Sequence, residues 1–207
     1  MRERLLFAGL DVESDRFLLS PIDHYLLTPG YTVYHQNQRA SAVYSIRSGS
    51  VKLSLYSSEY GERVVRLLGT GSAIGLEALL EQQYQHSAVA IGSTQLCRIP
   101  VRTLRHLGAQ QPALYSRLML QWQEQSLLAD KHHANLNHGP IKNRVINLLY
   151  ILESLVSEKQ ATFYLPSNQD CASLLGTSEE SVSRIMASLK RQGIIRKASA
   201  HRWSLNL

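Results

Sequence analysis

Between Pro112 and Gly139 the chain carries neither proline nor glycine. Within that run Leu114, Leu118, Trp122, Gln125, Ala129, His132 and Leu136 recur at intervals of three and four, the spacing of one helix face. Pro112 suits a first helical turn, and Gly139-Pro140 stops the helix. A helix of about 25 residues exceeds the globular average, and its seam resembles that of a coiled coil. A seam of this length has to be covered. The simplest cover is the same helix of a second copy, which predicts a two-fold homodimer with those seven positions at its interface. Packing on the chain's own β-rich region is the alternative.

The text before this helix is strand-like. Tyr31–Tyr34, Ala42–Ile46, Val51–Tyr56, Val64–Leu68 and Gln95–Ile99 are short β-rich runs. Turn signals separate them at Pro29-Gly30, Ser48-Gly49-Ser50, Glu59-Tyr60-Gly61 and Gly69-Thr70-Gly71. Many short strands at even spacing predict an antiparallel sandwich or barrel.

The text after the helix changes again. Ile141, Val145, Leu148, Leu149 and Leu152 mark one helix. Ser167-Asn168-Gln169-Asp170 fits a capping box for a second, carried by Ala172, Leu174 and Leu175 to Gly176. Ser178 is placed to cap a third, in which Val182, Ile185, Met186 and Leu189 form the apolar face, and Gly193 ends it. Ile194–Lys197 and Arg202–Leu205 then read as a hairpin with its tip near Ala198 to His201. Helix, tight turn, helix and basic hairpin make a winged helix-turn-helix. Glu180, Ser183 and Arg184 share the polar face of the third helix. An acceptor, a hydroxyl and a guanidinium there can read base edges in a major groove.

Charge agrees with that reading. The net charge is +6, and no acidic residue follows Arg184, whereas Arg184, Lys190, Arg191, Arg196, Lys197 and Arg202 are all basic. This is an electrostatic footprint for double-stranded DNA. The candidate contacts are Ser178, Glu179, Glu180, Ser183 and Arg184 on the helix, with Lys197 and His201 on the wing. The two cysteines, Cys97 and Cys171, are far apart. They form no disulfide framework and no all-cysteine metal site within one chain. A cytoplasmic location is expected, since Met1 to Leu10 is not a signal peptide and no apolar run approaches a membrane span.

The residues resemble the cyclic-AMP receptor protein/fumarate-nitrate regulator family, CRP/FNR, over nearly the whole chain. Pro29-Gly30, Tyr44 to Lys52 and Gly71 to Gly75 resemble the family's sensor jelly roll. The Pro112–Leu136 run stands where its dimer helix stands, and Ser167 to Ile195 resembles its DNA-binding motif. Glu180-Ser181-Val182-Ser183-Arg184 is similar to the Glu-x-x-Ser-Arg pattern of the FNR branch. The resemblance implies an α+β chain in three parts. Residues 1–110 would be an antiparallel β jelly roll of the cyclic-nucleotide-binding type, 111–138 the dimerisation helix, and 139–207 the winged helix-turn-helix. It also implies a bacterial transcription regulator reading half-sites related to TTGAT in inverted repeat. If the regulator is an activator, RNA polymerase is a further partner, touched through surface loops such as Ser57–Arg63 or Leu80–Gln85.

The effector is less legible. The resemblance places the pocket at Gly75, Leu76, Leu79, His86 and Ser87, with Gln125, Ala129 and Asp130 on the long helix. Cyclic-AMP-binding members carry Gly-Glu-Leu and Arg-Ser-Ala where this chain has Gly75-Leu76-Glu77 and His86-Ser87-Ala88. Leucine cannot accept a ribose hydrogen bond, and histidine is a weaker phosphate partner than arginine. Ala129 and Asp130 replace the small hydroxyl residues that receive adenine. Cyclic AMP is therefore not expected. Neither is an iron-sulfur cluster, because residues 1 to 30 contain no cysteine. Haem held by His86, His132 or His133 is an alternative. An apolar effector, or none, also fits, with Leu76, Leu79 and Leu80 crowding the pocket. A jelly-roll metal enzyme is the rival of a different class. His24, His35 and His86 lie on separate segments without ligand spacing, so neither catalysis nor a metal site is expected.

Overall fold

The structure, a computed structural model, describes residues 22–59, 61–156 and 162–206. Tyr60, and with it the tip of one turn read above, lies outside the described residues, as do residues 1–21.

The first part is a sandwich of two antiparallel four-stranded sheets. Its strands are β1 (Asp23–Leu27), β2 (Thr32–Tyr34), β3 (Ala42–Ser48), β4 (Ser50–Ser57), β5 (Gly61–Gly69), β6 (Ala73–Ile74), β7 (Ser87–Ala90) and β8 (Thr94–Pro100). One sheet has the order β1-β8-β3-β6, the other β2-β7-β4-β5. Consecutive strands such as β3 and β4 lie in different sheets, so the connections cross between layers, as in a jelly roll. Val43, Ile46, Val51, Leu53, Leu68, Leu96 and Ile99 fill the space between the sheets. A 3₁₀ turn, Leu76–Leu80, follows β6 and packs Ala78 into this core.

Helix α1 (Val101–Gln110) begins directly at Pro100 and buries Thr103, Leu104, Leu107 and Gly108. Its face repeats at three and four, but it adjoins the last strand without a turn signal, and the sequence reading assigns no helix between Ile99 and Pro112. Helix α2 (Ala113–Asn137) is the long helix, with Pro112 at its N-cap. Its 25 residues end at His138 in extended backbone, followed by Gly139 at φ 83°.

Part of the α2 seam is buried by the chain itself. Leu114 and Leu118 are buried in the core of the roll. Leu136 is buried in the core of the C-terminal unit. Gln125 donates to the Ala73 carbonyl at 2.9 Å, and Ala129 and His132 are half-buried. The chain itself thus covers the two ends of the seam, where the roll and the C-terminal unit flank the helix, and leaves its middle, Gln125, Ala129 and His132, half-open. Trp122 departs from this face and is 54% exposed. Tyr115, Met119, Leu120 and Leu127 are also exposed apolar residues on α2.

The C-terminal unit comprises α3 (Ile141–Ser154), β9 (Phe163–Tyr164), α4 (Asn168–Leu175), α5 (Glu179–Arg191), β10 (Ile195–Lys197) and β11 (Arg202–Leu205). Val145, Leu148, Leu149 and Leu152 of α3 meet Leu175 of α4 and Val182, Met186 and Leu189 of α5 in one core. The wing hairpin β10–β11 is completed by β9, giving the three-stranded order β10-β11-β9.

Candidate nucleic-acid interface and sensor site

Both helices of the reading motif are capped as the sequence dictates. The Ser167 hydroxyl accepts from the Asp170 amide at 3.0 Å. Gly176, at φ 56°, closes α4 in the left-handed conformation that favours glycine. The Ser178 hydroxyl accepts from the Ser181 amide at 3.3 Å and fixes the start of α5. Glu179 and Glu180 occupy the first turn of α5, and Lys190 and Arg191 the last, each matching the helix dipole.

The capping box on α4 is only half formed. Asp170 does not reach back to the cap, because its carboxylate is paired with the Lys52 ammonium on β4.

With Val182, Met186 and Leu189 buried, the opposite face of α5 is open. Glu180, Ser183 and Arg184 are exposed there, as are Ser178 and Glu179. An intrahelical Glu180–Arg184 pair would have spent both charges, but among the described residues neither side chain makes an ion pair or a hydrogen bond. An unengaged guanidinium can offer two parallel donors to the O6 and N7 of a guanine, and an unengaged carboxylate can accept from a cytosine amine.

The basic residues divide into two groups. Arg191, Arg196, Lys197 and His201 are exposed on the same unit. Lys190 instead lies over the Trp203 ring at 4.4 Å, and the Arg202 guanidinium over the Tyr164 ring at 5.1 Å. These two cations brace the wing through cation–π contacts. A cleft of about 360 Å³ lies beside Ser183, lined by Pro166, Ser167, Asn168, Met186, Lys190 and Trp203 among others.

In the roll, the expected pocket residues are brought only partly together. Gly75, at φ 76°, sits where a Cβ would meet the Tyr84 ring at 2.9 Å. Leu76 and Leu79 pack against the core, whereas Leu80 points outward at 58% exposure and crowds nothing. Glu77 turns toward the β7 end: its carboxylate accepts from the Gln85 amide at 3.3 Å and stands 4.0 Å from His86 Nδ1. Burial lowers the His86 pKa, Arg66 nearby lowers it further, and Glu77 partly offsets both. The Ser87 hydroxyl is occupied by the Gln36 amide at 3.0 Å. Asp130 is exposed on α2.

Sequence reading missed the residue that fills this end of the roll. Tyr84 is 1% exposed and stacks on Tyr34 with ring centroids 3.9 Å apart. Its hydroxyl donates to the Ala42 carbonyl at 2.8 Å and accepts from the Ala42 amide at 3.3 Å. A single aromatic inside the polar run Gln82-Gln83-Tyr84-Gln85 was the available signal.

His132 is half-buried and its pKa is lowered by desolvation. His133 Nδ1 lies 3.0 Å from the Asn137 amide nitrogen. Among the described residues no three of His, Cys, Asp and Glu converge as metal ligands. None of the helices described is long and apolar enough to cross a membrane.

Residues 26–111 match the cyclic nucleotide-binding domain, and residues 143–206 match the Crp-like helix-turn-helix domain. The chain is 28% identical over 197 residues to the cyclic AMP receptor protein of Thermus thermophilus, spanning 95% of this chain and 90% of that protein. It is 24% identical over 177 residues to the fumarate and nitrate reduction regulatory protein of Vibrio cholerae, spanning 80% of this chain and 68% of that one. FixK2 from Bradyrhizobium japonicum shares the fold, with a TM-score of 0.74 at 21% identity over 90% of this chain and 93% of that one.

A nucleotide-binding-type β roll joined to an open-faced winged helix-turn-helix defines a DNA-binding regulator. The match to both domains and to relatives spanning the chain makes the attribution narrower. The chain belongs to the CRP/FNR family of transcriptional regulators. That family consists of regulators, which removes the jelly-roll enzyme as a reading.

Proposed function

We propose that the chain acts as a homodimer that reads an inverted repeat of half-sites related to TTGAT. Arg184 donates to the guanine, Glu180 accepts from the cytosine paired with it, and Ser183 approaches a thymine. Ser178 and Glu179 start the same helix, and Lys197 and His201 on the wing reach the phosphates. The observation that carries this reading is the unpartnered, exposed Glu180–Ser183–Arg184 face on a helix whose other face is buried. The second copy docks on α2, over the exposed apolar residues Met119 and Trp122 and the seam positions Gln125, Ala129 and His132 that the chain leaves half-open. Two reading helices of such a dimer enter grooves about 34 Å apart, one helical turn of DNA.

Cyclic AMP is not the effector on this reading. A neutral Leu76 and a His86 whose burial disfavours its charge are poor partners for a ribose and a phosphate. Glu77 already lies on the Gln85 amide beside His86, and a carboxylate there repels a second anion. Tyr84 supplies internal packing at the same end of the roll. Selection of bound duplexes from a random pool, with and without cyclic AMP, tests both parts. The expected result is an enriched TTGAT-type inverted repeat, unchanged by the nucleotide. An unrelated sequence overturns the reading of α5, and enrichment that depends on cyclic AMP overturns the reading of the roll.

A further inference from the structure

The sheet β2-β7-β4-β5 is covered on both faces. Val51 and Leu53 of β4 point into the roll. Lys52 and Ser54 alternate to the other face, where Leu67 and Val64 stand opposite them on β5. Val64, Leu67 and Ile91 belong to the core of the reading unit, together with Leu155, Phe163 and Leu175. Two glycines allow the approach. A Cβ on Gly69 would overlap the Leu155 backbone, and one on Gly92 would overlap the Tyr164 ring. The Thr70 amide donates to the Leu155 carbonyl at 3.1 Å. β5 is an edge strand, and its Val64 amide donates to the Ser173 hydroxyl of α4 at 2.9 Å.

Lys52 and Asp170 form an ion pair across this seam, with side chains only 14% and 18% exposed. Asp170 stands in the first turn of α4, the helix whose N-terminus lines the cleft beside Ser183. The Asp170 carboxylate itself faces the roll and not the cleft. The seam is not an ordinary apolar core, however. The hydroxyl oxygens of Ser54 and Thr70 are buried without a hydrogen-bond partner among the described residues. Opening the seam would return them to water, so the closed arrangement depends on its charged pair.

We propose that Lys52 is a positioning residue for DNA reading, supplied by the roll to the winged helix-turn-helix. By pairing with Asp170 it holds α4, and through it α5, in a fixed position against the roll. The two reading helices of a dimer then keep one spacing. The inference rests on the DNA reading given above for α5, and it assigns to the roll a direct part in half-site spacing.

Two measurements on the full-length protein test it. The first uses no DNA: hydrogen exchange at the Val64 amide. Lys52→Met should speed that exchange at least tenfold, and Lys52→Arg should leave it near the wild-type rate. The charge-swapped pair Lys52→Asp with Asp170→Lys should recover most of the protection. The second uses gel shift on the inverted repeat and on the same repeat with its spacer changed by two base pairs. Lys52→Met should lose the preference for the correct spacer while keeping base discrimination within each half-site. Unchanged Val64 exchange, a retained spacer preference, or a folded charge-swapped variant that recovers nothing overturns the proposal. Failure of the wild type to discriminate sequences at all strikes the reading of α5 instead, and the exchange measurement still decides the role of Lys52.

Discussion

Replacing Tyr84 by phenylalanine keeps the ring and its stack on Tyr34 but removes one oxygen. That oxygen serves both polar groups of Ala42, a residue with no exposed surface. Pro100 stands opposite Ala42 in the β3–β8 ladder and has no amide hydrogen to offer in its place. The substitution therefore leaves a buried amide and a buried carbonyl without their partner. Each unsatisfied buried group costs about 1–3 kcal/mol, and partial relaxation brings the pair to roughly 2–4 kcal/mol. Urea unfolding followed by far-ultraviolet circular dichroism reads this directly. A lower midpoint at unchanged slope is expected. A loss below about 0.5 kcal/mol, within the range of an indifferent surface change, would refute the claim that Tyr84 closes this end of the roll.

Three further outcomes follow from the same geometry. Gly92→Ala forces a methyl group into the Tyr164 ring and should lower stability by about 1–3 kcal/mol, read as a reduced thermal midpoint. Met119→Lys with Trp122→Lys changes residues that are 71% and 54% exposed, so the chain should stay folded but sediment as a monomer; a persistent dimer would move the interface elsewhere. The Cys171 thiol is pushed up to about 12 by burial, with Asp170 adding to the shift, against a usual value of 9.0. Iodoacetamide at pH 8 should therefore label it only after unfolding. Between pH 9.0 and about 12 the unfolded chain releases this proton while the folded chain keeps it, so stability from this group falls by about 1.4 kcal/mol per pH unit.

Much of the reading unit was legible because its signals are local. Ser167 and Ser178 cap the helices they precede, Gly176 and Gly193 stand where each helix gives out, and the apolar spacing from Val182 to Leu189 fixes which face of α5 is open. The long helix shows where local signals stop. Spacing revealed a buried face containing Leu114, Leu118 and Leu136, but periodicity does not say which surface buries it, and the chain's own two units do so. Asp170 makes the same point, since its partner Lys52 is 118 residues away in sequence. β1 escaped notice because four of its five residues are exposed and show no alternation. Gly69 reads as part of a turn, yet it is a place where the Leu155 backbone comes too close for a side chain. Contacts between distant segments determine the identity of each of these residues, and no window along the chain contains both partners.

Arg184, exposed and unengaged on α5, is the proposed guanine reader. The direct test compares wild type and Arg184→Ala on the enriched inverted repeat and on the same repeat with that guanine changed to adenine, by gel shift at one fixed salt concentration. The wild type should prefer guanine by about 1–3 kcal/mol, roughly fivefold to 150-fold, and the variant should bind both duplexes equally. A variant that retains the full preference for guanine would contradict the claim.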